Sequence, residues 1–431
     1  MNNIRPFESV FEAIPEYKYY PSVDELHEHS YDLQKRYPDI VTVETIGTSQ
    51  QGRSIILDKI NDRNDPRQPK ALYVGSVHAN EVVGGLTIQH TEEELCARPE
   101  LLQELGDCAL WAIKTADPDG YEDQRWLSSE FTPMSYMTGL MRQAGPEQVT
   151  WGFQNLHKGR DAVIPEVLAL ADVIAAYKPD FYYPLHNASF GSGYFYATKN
   201  YLDLSGQLDS ELLHAGLNGK NPPERPDIHT PWSDSVYRYR MDDSVQSCIS
   251  YAMAQNPHCM TLVPEVPYVT SEATSNKESS GITVGEARAF YGERQKKDLA
   301  VFKPMLDHYA VDEPTVQTRA VQYFYGRMKR PRDWVAADRY AGVPLSKADQ
   351  MRIEFNTLYR PAYIGQIGIT AAERGDFRSQ QTIRQLIRER IVQVETVGKL
   401  EVVPIRDLVT LQARAGILAM HRHFQELAEN S

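Results

Sequence analysis

The sequence predicts an α/β fold, a parallel or mixed sheet with helices followed by a helical C-terminal extension. Three observations predict it. Apolar, β-prone runs alternate with stretches of helical period, two of these runs end abruptly in metal-ligand side chains, and beyond Thr283 the period becomes helical. In the first such run, Leu72-Tyr73-Val74-Gly75-Ser76-Val77 leads into His78-Ala79-Asn80-Glu81, and a helical pattern follows from Val82. Open α/β sheets carry their sites at such strand ends.

Composition narrows the class. The chain has 431 residues, 42% hydrophobic and 24% charged, enough for one sizeable α/β domain and a smaller unit. Its formal net charge of −13 disfavours nucleic acid or an anionic membrane as the main partner, because phosphate binding needs clustered Lys and Arg. No signal-length apolar segment opens the chain and no run of apolar residues is long enough to span a bilayer, so a cytoplasmic protein is expected. Cys96, Cys108, Cys248 and Cys259 show no CxxC spacing and are expected as reduced, buried thiols.

Each element has a local cause. Ser22-Val23-Asp24-Glu25 has the form of a capping box, and Leu26, Ser30, Leu33 and Tyr37 recur at helical spacing until Pro38. Alternation over Ile40–Ile46 and Arg53–Ile60, around the turn residues of Gly47–Gly52, predicts a hairpin. Cys108–Thr115 reads as a strand running into Asp117-Pro118-Asp119-Gly120, a strong turn signal. From Tyr121 to Arg160 no period is sustained, and a stretch of about forty residues without one points to a functional loop. Pro165-Glu166 opens a helix through Tyr177, with proline and an acid in the first turn. Asp180–Leu185 is a short buried strand ending at His186, and Tyr194–Ala197 is another. Residues 200 to 258 are expected as covering loops and short helices, Met260–Val263 as a strand leading into Pro264-Glu265, and Glu286–Tyr309 as the last helix of the main domain. The expected organisation is therefore a catalytic domain over 1–310 and a helical extension over 311–431 that covers the site mouth or makes a homo-oligomer contact.

Two strand ends thus supply His78, Glu81 and His186. Two imidazoles and a carboxylate with a fourth position left to water is the donor set of a catalytic zinc, one per chain. Glu265, held between prolines near a third strand, is the candidate general base that would take a proton from zinc-activated water during attack on an amide.

With these residues in place, the chain resembles the zinc carboxypeptidases related to carboxypeptidase A. The resemblance runs over roughly residues 20 to 305 and rests on Arg36-Tyr37-Pro38, Gly47-Thr48-Ser49-Gln50-Gln51-Gly52-Arg53, His78-Ala79-Asn80-Glu81, Asp117-Pro118-Asp119-Gly120, His186 and Glu265, in that order and spacing. It implies an eight-stranded mixed sheet with helices on both faces, one zinc on His78, Glu81 and His186, and Glu265 as base. The implied activity is hydrolysis of an amide bond at or near a peptide C-terminus.

The chain also departs from that pattern. Where the family usually holds the substrate carboxylate with an Asn-Arg pair, Gln148-Val149-Thr150-Trp151-Gly152-Phe153 carries Thr150 and Trp151. Gln148 falls where an acid normally orients the first zinc histidine, and Asn80 where many members have arginine. Arg142, Arg125, Lys158 and Arg160 are candidates for a relocated carboxylate contact, because guanidinium binds carboxylate in a bidentate fork. Arg142, ahead of Arg125, is the candidate for stabilising the oxyanion. Asn187, Thr150, Trp151 and Arg160 are the expected substrate contacts. Two other outcomes stay open: a zinc amidohydrolase of the same fold that deacylates an N-acyl amino acid, as aspartoacylase-like relatives do, and a non-catalytic binding module.

Overall fold

The computed structural model describes residues 5–127, 129–219, 230–239, 247–308, 315–329, 341–356 and 377–430. After the short α1 (Glu8–Glu12), α2 (Val23–Arg36) opens on the expected capping box: Ser22 Oγ accepts from Glu25 N, and the Glu25 carboxylate accepts from Ser22 N. The hairpin follows as β1 (Val41–Thr48) and β2 (Ser54–Ile60), paired antiparallel. Then come β3 (Lys70–Val74), α3 (Val83–Ala97), α4 (Glu100–Glu104) and β4 (Ala109–Ile113).

The strands β5 (Phe181–Pro184), β6 (His186–Phe190), β7 (Tyr194–Ala197), β8 (Thr230–Pro231), β9 (Val236–Arg238) and β10 (Met260–Thr270) complete the main sheet. Its order is β1-β2-β4-β3-β5-β10-β7-β9-β8, with β6 also paired to β10. The eight strands implied by resemblance are thus enlarged to a broader mixed sheet. In this order β3 lies between β4 and β5, parallel to both. The chain leaves β3 for β4 on one side and later returns to β5 on the other. Such a reversal opens a crevice at the strand C-termini, and the segments that leave it, after Val74 and after Pro184, are those carrying His78, Glu81 and His186.

Two apolar layers enclose the sheet. On one face, Leu26 and Leu33 of α2 and Leu86, Ile88 and Leu95 of α3 join one core cluster. On the other, Val167, Leu170 and Ile174 of α8 (Pro165–Tyr177) join a second, with Ile249 and Ala252 of α10 (Cys248–Gln255). Helix α8 starts and stops where the sequence predicts, and α9 (Leu202–His214) supplies a longer helix than the loops and short helices expected there.

Three expectations change. Asp117-Pro118-Asp119-Gly120 is the start of a short helix, α5 (Pro118–Glu122): Asp117 Oδ1 accepts from Gly120 N at 2.8 Å, so the turn signal is an N-cap. The segment from 121 to 160 is not structureless but a chain of short helical turns, including α6 (Pro133–Gly139) and α7 (Val149–Gly152). Trp126, Tyr136 and Tyr268 form its packed centre, with ring centroids 5.2 to 5.7 Å apart. Aromatic packing replaced periodicity as the organising force.

The third concerns the C-terminal region. Helices α11 (Val284–His308), α12 (Val316–Met328), α13 (Phe377–Gly398) and α14 (Ile405–Glu429), with the strand pair β11 (Ser279–Thr283) and β12 (Pro344–Ser346), follow β10. The expected separation of 311–431 from the main domain does not hold for its last part. Leu408, Leu411, Ala415 and Leu418 of α14 belong to the same core cluster as α2 and α3, and β13 (Glu401–Val402) pairs with β10. Helix α14 buries its apolar stripe on this face of the sheet, packed against α3, α9, β5 and β10. No described helix is long and apolar enough to cross a membrane, and all four cysteines are free and buried.

Candidate metal centre

The ligand turn follows β3 under tight steric limits. A Cβ on Gly75 would lie 2.3 Å from Lys114 O, and one on Gly84 would lie 2.8 Å from Leu185 Cβ. Only glycine lets the turn and the start of α3 press against the neighbouring strands. Between them Ser76 takes a left-handed backbone (φ 50°), uncommon for a residue with a Cβ. Glu81 N donates to His78 O at 2.9 Å, so one turn of chain aims His78 and Glu81 into the same crevice.

His186 opens β6 on the adjacent chain segment. The candidate ligand atoms of His78, Glu81 and His186 all lie within 4.8 Å of one another, and all three residues are buried. Glu81 Oε2 lies 2.8 Å from His186 Nδ1 and accepts from Asn187 N at 3.3 Å, while Glu81 Oε1 accepts from Arg142 Nη1 at 3.3 Å. The two imidazole centroids are 5.0 Å apart. Burial, with Arg142 and His186 nearby, pushes the His78 pKa far below its ordinary value, which keeps a lone pair available. Burial acts the same way on His186, but Glu81 outweighs it and holds that ring's pKa up.

Two ring nitrogens test whether a metal fits. His78 Nδ1 and His186 Nε2 are buried and have no hydrogen-bond partner among the described residues. Buried polar atoms without partners are costly unless a ligand satisfies them. Each histidine has one such nitrogen, and the three residues bring ligand atoms within 4.8 Å of one another, a donor set suited to Zn²⁺.

The surrounding residues divide by position. Gln148 contacts His78 by a side-chain hydrogen bond, and also receives Arg142 Nε at 3.3 Å and donates to Gln143 O at 2.6 Å. Ligating histidines ordinarily have such an outer partner. Arg142 therefore sits against the ligand cluster. Arg125 is exposed with Asp123 near its charge, Arg160 is exposed and held by Asp172 at 2.7 and 2.8 Å, and Lys158 bonds Asn155 on the surface. The long segment thus brings Arg142 to the cluster, whereas Arg160 forms a surface ion pair with Asp172 of α8.

Thr150 is buried. Its amide and hydroxyl both donate to Val77 O at 3.2 Å, which ties α7 to the ligand turn. Asn187 is likewise buried, with Nδ2 on Val266 O at 3.1 Å. Both residues hold the framework around the candidate ligands in this structure. Trp151, half-buried, has its ring 6.2 Å from that of His78 and tilted 39° to it.

Glu265 does not end a strand. It lies inside β10, in register with His186 of β6 on one side and Tyr194 of β7 on the other, and its charge raises the His186 pKa. A half-buried carboxylate is thereby aimed at the crevice from rigid backbone. Sequence reasoning passed over the support beneath the site, where Asn80 Nδ2 donates to Tyr136 Oη at 3.0 Å and Tyr136 Oη lies 3.1 Å from Ser189 Oγ. The aromatic richness of 121–141 was its only signal.

The conserved-looking blocks of the resemblance also find a structural cause. Asp119 accepts from Ser49 Oγ, Gln51 N and Arg53 Nη1 at 2.7 to 2.8 Å, so the 117–120 block clamps the 47–53 turn.

Comparison with known proteins agrees with this geometry. A family model described as zinc carboxypeptidase matches residues 26–240, about half of the chain. The carboxypeptidase N catalytic chain of Rattus norvegicus is 30% identical over 107 residues, 23% of this chain and 23% of that protein. Carboxypeptidase D of Homo sapiens is 28% identical over 110 residues, 22% of this chain and 8% of that protein. These matches span less than a quarter of each curated relative. A solved metallo-carboxypeptidase from Burkholderia cenocepacia aligns with TM-score 0.40 and 17% identity, covering 57% of this chain and 60% of that one. With the matched region containing the ligand turn, His186 and the motif blocks in order, the chain belongs to the zinc carboxypeptidase family.

Proposed function

We propose that this chain is a zinc-dependent metallopeptidase that hydrolyses an amide bond at or near a peptide C-terminus. The observation that carries the proposal is the convergence of His78, Glu81 and His186, two of them with unpartnered ring nitrogens, beside the carboxylate of Glu265. His78, Glu81 and His186 would hold the ion, which when bound supplies Lewis acidity and makes water a better nucleophile near neutral pH.

The chain's own groups account for the proton path. Glu265 takes the proton of the attacking water and returns it to the leaving nitrogen as the C–N bond breaks. Arg142, fixed by Glu81 and Gln148, donates to the oxygen on which negative charge develops. Removing one such donor typically costs about 10² to 10³ in rate. Gln148 orients the His78 ring without adding a charge. Asn187 and Thr150 keep the ligand segments in place.

Activity against a panel of free, amidated and internally blocked peptides, run beside N-acyl amino acids, tests the proposal. Turnover of peptides that falls by about 10² or more in Glu265→Gln, with zinc retained, supports it. Turnover of N-acyl amino acids alone would assign a deacylase. No turnover by zinc-loaded protein would leave only the binding module.

A further inference from the structure

We propose that Trp151, together with Tyr194, forms a specificity-determining wall beside the metal centre, and that this wall takes an uncharged group in preference to a free carboxylate. This rests on the proposed hydrolytic activity and names its substrate class: peptides whose C-terminus near the cleaved amide bond is blocked, amidated or extended.

The positions come from two elements. Helix α7 carries Trp151 to the wall of the metal centre, 6.2 Å from the His78 ring, and is anchored there by Thr150 on Val77 O. The segment Gln148-Val149-Thr150-Trp151-Gly152 contains no charged residue. From β7, Tyr194 is the register partner of Glu265, so the two side chains leave the same face of the sheet. Tyr194 continues into a row of aromatic rings, 5.3 Å to Tyr196 and 6.3 Å to Tyr237, with Tyr196 a further 6.4 Å from Tyr239. Tyr196 and Tyr239 pack on the core cluster that contains Val149 and Phe153, so this row and α7 share one side of the sheet. Burial pushes Tyr237 and Tyr239 up to about 12, which keeps their hydroxyls neutral at ordinary pH.

Charge decides what such walls accept. The face of an aromatic ring is electron-rich and attracts flat apolar groups or cations, whereas a carboxylate laid on it is repelled. The guanidinium of Arg142 is already shared between Glu81 and Gln148. An amide end or a further residue escapes that repulsion and buries apolar area against the indole.

The test uses full-length, zinc-loaded Glu265→Gln, in which binding is read without turnover, titrated calorimetrically with an N-acetyl tripeptide ending in phenylalanine and with its C-terminal amide. The amide is expected to bind at least about tenfold more tightly, a difference of about 1.4 kcal/mol. Adding Trp151→Ala should weaken the amide about tenfold and bring the ratio near one, and Trp151→Arg should favour the free acid. Zinc content and circular dichroism establish that each variant is folded. A free acid that binds as tightly as the amide overturns the proposal, as does a ratio unchanged in folded Trp151→Ala or binding of neither ligand. Selective binding with no hydrolysis by the wild type would instead refute the hydrolytic function and leave the recognition intact.

Discussion

The side-chain amide of Gln412, on the last helix of the chain, donates to the backbone carbonyl of His186 at 3.0 Å. The same residue accepts from Thr87 Oγ1 at 2.8 Å, and its carbonyl accepts from Tyr183 Oη at 2.8 Å. A residue more than two hundred positions away thus supports a candidate metal ligand. Gln412→Leu would leave the Thr87 hydroxyl and the His186 carbonyl without these partners in a fully buried place, at a cost of about 1 to 3 kcal/mol for each group left unsatisfied. Urea unfolding should show that loss at unchanged m-value. Truncation after residue 310 removes α14 altogether and is expected to give insoluble or unfolded protein, checked by circular dichroism.

Metal content follows from the cluster. Elemental analysis should find one zinc per chain, and His78→Ala or His186→Ala should lose most of it. Because an ion bound only by the folded chain stabilises it by mass action, chelation should lower the melting temperature of the wild type and leave the His186→Ala variant nearly unaffected. The expected stabilisation is about 2.7 kcal/mol at a free zinc concentration one hundred times Kd.

Asp119 gives a prediction that does not involve metal. Three donors from the 47–53 turn converge on its carboxylate, which is nearly buried. Asp119→Ala should cost about 2 to 4 kcal/mol, since hydrogen bonds to a charged group contribute about 1.5 to 3 each and the lost bonds overlap. Thermal melts of the variant against Asp119→Asn, which keeps part of the acceptor set, would show the larger loss in alanine. Equal stability of all three would sink it.

The pH dependence should carry the mark of Asp117. Burial pushes its pKa up from 3.8 to about 7, even though Gly120 N and Gln143 Nε2 donate to it. The folded chain therefore holds a proton that the unfolded chain has released between about pH 4 and 7. Stability contributed by this group is present below that window and is lost as pH rises through it. Urea unfolding of Asp117→Asn should show a shallower decline over pH 5 to 7.5 than the wild type, by about 1 to 3 kcal/mol.

How much was legible from sequence depended on whether the cause was local. Ser22 and Glu25 cap α2 because a side chain and an amide three residues apart meet in any helix start. Pro165 and Glu166 in the first turn similarly set the start of α8, and His78, Glu81 and His186 were visible as residues just past apolar strands. Glu265 was found but misplaced, because prolines on either side looked like strand breakers. In the structure β10 runs through both. Pro264 stands where the strand changes partner from β5 to β6, and Pro267 lies between the ends of β7 and β13, so each meets an unpaired edge.

The sequence by itself determined the mixed α/β class and pointed to the candidate ligands and the candidate base, since each is written in a short segment of chain. Sequence order favoured Arg142, and the tertiary structure supplied its contact with the cluster and the surface ion pair of Arg160. It also decided that Trp151 walls it and that α14 closes the core beneath His186. These outcomes depend on which surfaces meet across the folded sheet. No local pattern encodes that, because the apolar stripe of a helix specifies that it must be buried and not against which face.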